Sequence, residues 1–400
     1  MKGTPFGKYE LLGKVAAGGM AEVHLAREWG KGGFFRDLVI KRLFDHLTEH
    51  APTLRSFQYE ARLMSELCHP NIPQVFDLGT VGKTWYMAME YVYGMNVADL
   101  VRAGMRAGVA MPLHVVLGLV MQVAEALHHA HERKDRAGHP LAIVHRDVTP
   151  HNVIVTHDGV AKLIDFGVAQ SAANREEPGG VKGTYAYMAP EQVRGRVVDR
   201  RADVFSLGVI LYELTTMTRL YRGSEVQIMT QIVEQDAPPP SMRVPDYPPD
   251  LEEIVLASLR RDPDYRIASA ADLALHLEHF AMRHGLLVGP RQTASFVNHV
   301  WPTEREHDTS LAMVDVEERP KTLRPSERPL FELEESDLQA LESVPAPPPP
   351  ASESLAVLAA FDEGRVSAPV LLLDQRKAPA VEAVDYMREL HRRLEDEDVP

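Results

Sequence analysis

The stretch DVFSLGVILYEL, residues 203–214, is apolar on nearly every side of a helix. A surface helix carries an apolar stripe on one face only, so a helix of this composition must lie inside a core. Other helices have to surround it, and the sequence supplies candidates at 112–133, 250–260 and 269–283. We therefore predict a mainly α-helical unit built around residues 203–214.

The first part of the chain has a different pattern. Runs such as YELLGKVA and FRDLVIKRLF in residues 9–93 have strand-like apolar content, with glycines at the turns between them. Residues 53–68 interrupt these strands with apolar side chains at helical spacing. The two patterns together predict an α+β fold of two lobes: a mostly β N-lobe with one helix at 9–93, and a mostly α C-lobe from residue 94.

The negative charge is concentrated at the end of the chain. The formal net charge is -14, and residues 301–400 hold 23 acidic and 11 basic side chains. This region also contains the proline-rich run SVPAPPPPASES and has no sustained apolar period. We expect residues 284–400 to be a mostly disordered acidic tail, with a short helix possible at 382–397 that a partner protein could dock on.

Composition also excludes some classes of protein. The acidic balance argues against binding nucleic acid through its phosphates. The sequence has no run of about 18 apolar residues and no secretory leader, so we expect no membrane span. A single cysteine, Cys68, excludes an intrachain disulfide and fits a reducing compartment. We expect a cytoplasmic protein.

The turn GKVAAGGMAEV places small residues between two predicted strands. Small side chains let backbone N–H groups approach a polyphosphate closely. An ordinary glycine hairpin is the alternative explanation. Lys41 ends the next apolar strand, LVIK, and Glu60 lies on the following helix. A carboxylate there can hold the ammonium group of Lys41 in a partly closed cleft, aimed at phosphate oxygens.

The stretch VHRDVTPHNVIV, residues 144–155, combines a buried-looking strand with charged and polar groups. Asp147 can accept a hydroxyl proton, and Asn152 and Asp165 offer the oxygen ligands that Mg²⁺ prefers. These groups, with Lys41 and the small-residue turn, are the parts that phosphoryl transfer requires: a clamp on the phosphates, a metal, and a base that orients the nucleophile.

The order of these motifs resembles that of the eukaryotic-type protein kinases, in their bacterial serine/threonine branch. HRD…N, DFG and APE occur in the expected order, and the resemblance covers residues 9–283. It implies a bilobal kinase domain over that range, with ATP and Mg²⁺ as cofactors and serine or threonine hydroxyls of proteins as substrates.

The resemblance also implies roles for individual residues. Asp147 would be the catalytic base, Lys41 and Glu60 the ion pair at the phosphates, and Asn152 and Asp165 the metal ligands. Asp203 would hold the backbone of the catalytic loop, and Glu191 would pair with Arg266. The residues placed against the nucleotide are Val15, Ala16, Ala17, Gly18, Gly19, Met20, Val23, Lys41, Met89, Glu90 and Val92.

Two departures from the family pattern affect the site. Ala16 and Ala21 stand where the family has the outer glycines of its loop, so we expect a stiffer loop that still covers nucleotide. Thr149 replaces the usual catalytic-loop lysine. It can hydrogen-bond to Asp147 or to a phosphate oxygen, and the missing cation could slow transfer by about ten- to a hundredfold.

The segment before APE, residues 168–188, resembles an activation loop. The resemblance gives Arg146 the role of binding a phosphate on this loop, with Ser171 as the candidate site of phosphorylation. Thr184 resembles the threonine that faces the catalytic base in serine/threonine kinases. Pro150 stands where those kinases keep a proline, which also favours serine/threonine specificity.

Three functional hypotheses follow. The leading one is an active serine/threonine protein kinase. The second is a nucleotide-binding pseudokinase scaffold, motivated by Thr149 and the alanines of the loop. The third is an interaction hub in which the acidic tail is the functional part. The helix with His128, His129 and His131 suggests metal binding at first sight, but no cysteine or carboxylate follows at matching spacing, so we expect these histidines to be structural or solvated.

Overall fold

The computed structural model describes residues 3–166 and 184–302, which form two lobes joined after residue 90. The N-lobe is a six-stranded antiparallel sheet with strand order β1-β2-β3-β4-β6-β5, accompanied by one helix. Its elements are β1 (Thr4–Phe6), β2 (Tyr9–Ala17), β3 (Ala21–Trp29), β4 (Phe35–Leu43), α1 (Ala51–Ser65), β5 (Val75–Val81) and β6 (Thr84–Glu90).

Successive side chains of β4 point to opposite faces of the sheet. Ile40 packs with Tyr86 in a small apolar cluster on one face. Leu43 lies in the main core together with Phe57 of α1, on the other face. Lys41 is two residues before Leu43 and therefore shares its face, which directs the lysine toward α1.

The C-lobe is mainly helical, with a small antiparallel sheet of order β7-β8-β9. Its strands are β7 (Gly94–Asn96), β8 (Val153–Thr156) and β9 (Ala161–Leu163). Its helices are α2 (Val97–Arg106), α3 (Leu113–His131), α4 (Pro190–Val193), α5 (Arg201–Thr216), α6 (Glu225–Glu234), α7 (Pro249–Ser258), α8 (Ala270–Arg283) and α9 (Pro290–Val300).

The helix α5 contains the all-round apolar stretch that the sequence places in a core. Its side chains, including Phe205 and Tyr212, are almost fully buried. Neighbouring helices α3, α7 and α8 pack around it. The predicted bilobal α+β fold is confirmed, because a sheet-rich lobe with one helix precedes a helical lobe built around this segment.

One helix in the described part of the chain, α3, is long and apolar enough to cross a membrane by length and composition. Its residues Val115–Leu127 are mostly buried, and the helix packs on α5 and α8. A buried helix at the centre of a helical lobe meets the same criteria, and its neighbours account for its apolar composition.

The packed structure extends beyond residue 283, where the sequence placed the start of the tail. Helix α9 follows, with Thr293, Phe296 and Val297 buried against α2, α3 and β8. The helix is only 11 residues long and buries two apolar side chains, Phe296 and Val297, and it directly precedes the acidic region that the sequence analysis assigned to the tail. The predicted helix at 382–397 lies outside the described residues.

Helix α9 comes very close to the turn between β8 and β9. Gly159 in this turn has a φ of +78°, and a Cβ atom added there would lie 1.9 Å from the carbonyl oxygen of Pro290 and 2.5 Å from the amide nitrogen of Ala294. Only a residue without a side chain allows this approach. The turn is therefore shaped to receive the start of α9.

Candidate active site

Lys41 on β4 and Glu60 on α1 form an ion pair between the sheet and the helix. The distance from Lys41 Nζ to Glu60 Oε1 is 2.7 Å, and their side chains are 12% and 4% exposed. Burial opposes the charge on the lysine, but the carboxylates of Asp165 and Glu60 raise the pKa of Lys41 above its ordinary value. The two carboxylates thus favour the charged form of the ammonium group inside the cleft.

Asp165 comes to the same ammonium group from the other lobe. Its Oδ1 atom lies 3.2 Å from Lys41 Nζ, although the two residues are 124 positions apart. The backbone of Asp165 has a φ of +54°, which is uncommon for a residue with a side chain. Hydrogen bonds from the amide of Ile164 to Asn152 O and from Leu163 to Asn71 O fix the segment before it.

Asp147 lies in the catalytic loop beside Asn152. The side-chain amide of Asn152 donates to the carbonyl oxygen of Asp147 at 2.8 Å and to its Oδ2 atom at 2.9 Å. The other carboxylate oxygen, Oδ1, is buried with no hydrogen-bond partner among the described residues. Burial and the nearby charge of Asp165 raise the pKa of Asp147, while His145 and Asn152 oppose that rise.

Thr149 is buried, and its backbone oxygen accepts the amide of Asn152. The sequence offered two partners for its hydroxyl, Asp147 or a phosphate oxygen. Within the described residues the hydroxyl makes no hydrogen bond to Asp147, whose Oδ2 atom accepts the amide of Asn152. Both alternatives therefore stay predictions.

Asp203, at the start of α5, holds the catalytic loop by its backbone. Its carboxylate accepts the amides of His145 and Arg146, each at 2.8 Å, and lies 2.7 Å from His131 Nε2. Burial opposes the charge of this carboxylate, but the His131 hydrogen bond, the attraction of His145 and the Arg146 amide hold its pKa below the ordinary value. The loop is thus tied to the innermost helix of the lobe.

A second buried ion pair braces helix α4. Arg266 donates two hydrogen bonds to Glu191, at 2.7 and 3.0 Å, in the paired arrangement that suits a guanidinium and a carboxylate. The next residue, Gln192, donates to the carbonyl oxygen of Arg146 at 3.0 Å. This contact joins α4 to the catalytic loop.

The turn between β2 and β3 carries the predicted nucleotide-covering residues. The amide of Gly18 donates to Ala21 O at 2.8 Å, and Val15 is 52% exposed. A Cβ atom at Gly18 would be in ordinary contact with its surroundings, and one at Gly19 would meet nothing within 4 Å. The fold of the turn therefore does not require these glycines, and a ligand that approaches the backbone would account for them.

The segment after β6 joins the lobes and contains the residues predicted to face adenine. The amide of Glu90 donates to Gln74 O, and its side chain pairs with Lys162 of β9 at 3.0 Å. The amide of Val92 makes no hydrogen bond within the described part of the chain. Met89 pairs with Val39 and Val75 on neighbouring strands. Val92 thus offers a free donor to a ligand.

The residues present fit a nucleotide with its metal. Asp165 and the side-chain oxygen of Asn152 would hold a divalent cation, and Lys41 would hold phosphate oxygens. In the described residues no group of three or more histidine, cysteine, aspartate or glutamate side chains could hold a metal by itself. A divalent cation here would therefore take part of its ligands from substrate phosphates and water.

Two of the three residues with predicted regulatory roles, Arg146 and Thr184, lie in the described part of the chain. Arg146 has a φ of +68° and is fixed through its backbone, by Asp203 at the amide and by Gln192 at the carbonyl. Thr184 begins a short 3₁₀ turn that ends at Tyr187. Ser171, the candidate phosphorylation site, lies outside the described residues, so its pairing with Arg146 stays a prediction.

Three contacts of the site were missed by the sequence analysis. His131 binds Asp203, which lies 72 positions further along the chain. This contact agrees with the structural role expected for the histidines of its helix, but the sequence analysis named no partner for His131. Gln192 reaches the catalytic loop, and Lys162 reaches Glu90. For the first contact the sequence offers one signal, which is a histidine on an otherwise apolar helix. The other two contacts involve ordinary polar residues, which give no signal in the sequence.

Comparisons with known proteins agree with this geometry. Residues 9–279 match the family described as the protein kinase domain. The tyrosine-protein kinase MasK of Myxococcus xanthus is 40% identical over 304 residues, which are 75% of this chain and 47% of MasK. The serine/threonine-protein kinase PrkC of Bacillus subtilis is 34% identical over 273 residues, which are 67% of this chain and 39% of PrkC.

Solved structures give the same result. The crystal structure of the Mycobacterium tuberculosis PknI kinase domain has a TM-score of 0.54 and 26% sequence identity, and the match covers 70% of this chain and 99% of that one. The chain belongs to the protein kinase family. It spans less than half the length of MasK and PrkC.

Proposed function

We propose that this protein transfers the γ-phosphoryl group of ATP to serine or threonine hydroxyls of protein substrates, with Mg²⁺ as the metal. The observation that carries the proposal is the position of Lys41, whose ammonium group contacts Glu60 of the N-lobe and Asp165 of the C-lobe at once. A charged lysine between a positioning carboxylate and a metal-binding carboxylate is what phosphoryl transfer in this family requires.

Each residue of the site has a defined task in this proposal. Bound ATP and its metal supply the phosphoryl group and neutralise its charge. Lys41 holds phosphate oxygens, and Glu60 keeps the ammonium group aimed at them. Asp147 accepts the hydrogen bond of the substrate hydroxyl through its unpartnered Oδ1 atom and so orients the nucleophile. Asp203 keeps the loop backbone in place while this happens.

The raised pKa of Asp147 supports its role as the base. A carboxylate whose pKa lies nearer to the working pH accepts a proton more readily, which general base catalysis uses. Asn152 holds the other oxygen of the carboxylate, so that Oδ1 stays directed away from it. These features argue against the pseudokinase alternative, since a scaffold has no use for an intact set of catalytic groups.

The hydroxyl specificity is the finer part of the proposal. MasK is named a tyrosine kinase and PrkC a serine/threonine kinase, so the relatives point in two directions. We favour serine and threonine because Pro150 and Thr184 match that branch of the family. A cytoplasmic location and a protein partner for the tail remain part of the proposal, supported by the single free cysteine and by the tail's sequence.

The test uses the full chain with radiolabelled ATP, Mg²⁺ and a mixture of acceptor proteins, followed by phosphoamino-acid analysis. We expect phosphoserine and phosphothreonine from the wild type, and no label from Asp147→Asn. Lys41→Met should lower kcat/KM by about a hundredfold or more. Lys83→Met is the matched control, because Lys83 is exposed on the turn between β5 and β6. Labelled phosphotyrosine alone would contradict the specificity, and an inactive wild type would contradict the proposed activity.

A further inference from the structure

A cavity of about 400 Å³ lies at the side of the C-lobe, next to helix α4. Its walls come from α4 and the loop after it, the segment after α6, and the loop after α7. Four arginines line it, together with three acidic residues, a proline and a tyrosine. The lining residues are Glu191, Arg194, Arg196, Asp236, Arg260, Arg261, Asp262, Pro263 and Tyr265.

Two of the arginines are fixed by the backbone of the cavity wall. Arg194 donates to the carbonyl oxygen of Val233 at 2.8 Å. Arg261 donates to Glu234 O at 2.9 Å and to Asp236 at 2.7 Å. Side chains held in this way lose little freedom when a ligand binds, so their charge is preorganised.

The other two arginines, Arg196 and Arg260, are exposed. Neither side chain has a hydrogen-bond or ion-pair partner within residues 3–166 and 184–302. Arginine side chains that line a cavity without a partner keep all five donors available. The donors of these two residues are therefore free for a ligand with several acceptor oxygens.

The acidic residues of the lining do not cancel this charge. Both carboxylate oxygens of Glu191 accept hydrogen bonds from Arg266, which is not one of the four arginines that line the cavity. Asp236 is paired with Arg261. Asp262 accepts the amide of Asp264 at 3.0 Å and keeps its charge, so the four arginines of the lining exceed its three acidic residues by one. The cavity consequently presents more positive than negative charge, with its free donors on Arg196 and Arg260.

We propose that this cavity binds a phosphorylated serine, threonine or tyrosine side chain of a polypeptide. Guanidinium groups bind phosphate through paired hydrogen bonds, and clusters of arginines are a recurring means of recognising phosphorylated segments. The phosphoryl group carries up to two negative charges and three acceptor oxygens, which suits two free guanidinium groups better than a single carboxylate does.

The location of the cavity gives such binding a use. Glu191 lines it, and the neighbouring residue Gln192 donates to the carbonyl oxygen of Arg146, next to Asp147. A polypeptide held here by one phosphorylated side chain is retained on the lobe that carries the catalytic base. The site goes beyond the proposed function and does not depend on it, because binding needs no phosphoryl transfer.

The test measures binding to the full chain carrying Asp147→Asn, which prevents phosphorylation of the probes. The probes are three fluorescein-labelled pentapeptides, Ala-Ala-X-Ala-Ala, in which X is phosphothreonine, threonine or glutamate. Fluorescence anisotropy at low salt should show at least tenfold tighter binding of the phosphothreonine peptide than of the other two. Inorganic phosphate should displace it, which identifies the phosphoryl group as the recognised chemistry.

Variants that remove equal charge distinguish binding in the cavity from nonspecific electrostatic attraction to the protein surface. Arg196→Gln with Arg260→Gln should weaken binding of the phosphothreonine peptide at least tenfold. Arg55→Gln with Arg136→Gln removes the same charge from exposed positions elsewhere and should leave the affinity unchanged. Equal binding of the phosphothreonine and glutamate peptides, or an equal loss in both double variants, would overturn the proposal. An unaltered unfolding midpoint in each variant shows that the fold is intact.

Discussion

The rings of His157 and Trp301 lie with their centroids 4.0 Å apart, which fastens the end of helix α9 to the turn between β8 and β9. Asn298 strengthens this contact, since its side-chain amide donates to His157 O at 2.9 Å and its oxygen lies 3.1 Å from His157 Nδ1. Tyr93, in the segment that joins the lobes, also faces both rings. The last described helix is thus connected to the segment that joins the lobes.

Gly159→Ala should destabilise the protein through this contact. The substitution forces a side chain into a left-handed backbone and places its Cβ atom on the start of α9, so we expect a loss of about 3 kcal/mol in the free energy of unfolding. Gly138→Ala is the matched control, because Gly138 has a φ of +87° with nothing within 4 Å of an added Cβ. It should cost about 1 kcal/mol. Urea denaturation measures both, and equal losses would show that α9 does not pack on this turn.

The raised pKa of Asp147 predicts the acid side of the activity profile. The base has to be deprotonated, so kcat/KM should fall as the pH drops through the pKa of Asp147. This pKa lies above 3.8, the ordinary value for an aspartate. Carbon-13 NMR of labelled aspartate carboxyls measures this pKa directly, and Asp147→Asn identifies the resonance by its loss. A midpoint at or below 3.8 would contradict the effect of burial described above.

Asp203→Asn should lower the free energy of unfolding by about 3 kcal/mol near neutral pH, because an amide cannot replace a buried carboxylate that accepts from three donors. The pKa of Asp203 is depressed in the folded state. The contribution of the charged carboxylate to stability is therefore fully present above the pKa of the unfolded state, about 3.9. It is lost as the pH falls through the lower pKa of the folded state. Urea denaturation at about pH 7 and about pH 3 should show the two proteins converging in acid. A difference independent of pH would mean that the carboxylate's charge is not what stabilises the loop.

Thr149→Lys should raise kcat by about tenfold, because it restores a cation near the charge that develops on the transferred group. Thr149 makes no hydrogen bond to Asp147 in the described residues, so the substitution removes no bond to the base. Thr149→Met fills similar space without charge and should give no gain. Steady-state kinetics with the same acceptor compare the three proteins, and an equal change in both variants would assign the effect to size.

Short motifs explain why much of the site could be predicted. Lys41, Asp147, Asn152 and Asp165 belong to local patterns whose spacing is set by the chemistry, and the structure brings them to one cleft. Contacts such as His131 with Asp203 have no such pattern, because two segments far apart in sequence meet only after folding. The same holds for α9, whose docking depends on the absence of a side chain at Gly159.

The pairing of Glu90 with Lys162 has a mechanical consequence. Glu90 ends the last strand of the upper lobe, and Lys162 belongs to β9, three residues before Asp165. Any widening of the space between the lobes stretches this bridge and the Lys41–Asp165 contact together. Both bridges therefore resist opening of the hinge, and loss of the Lys162 charge would remove one of them.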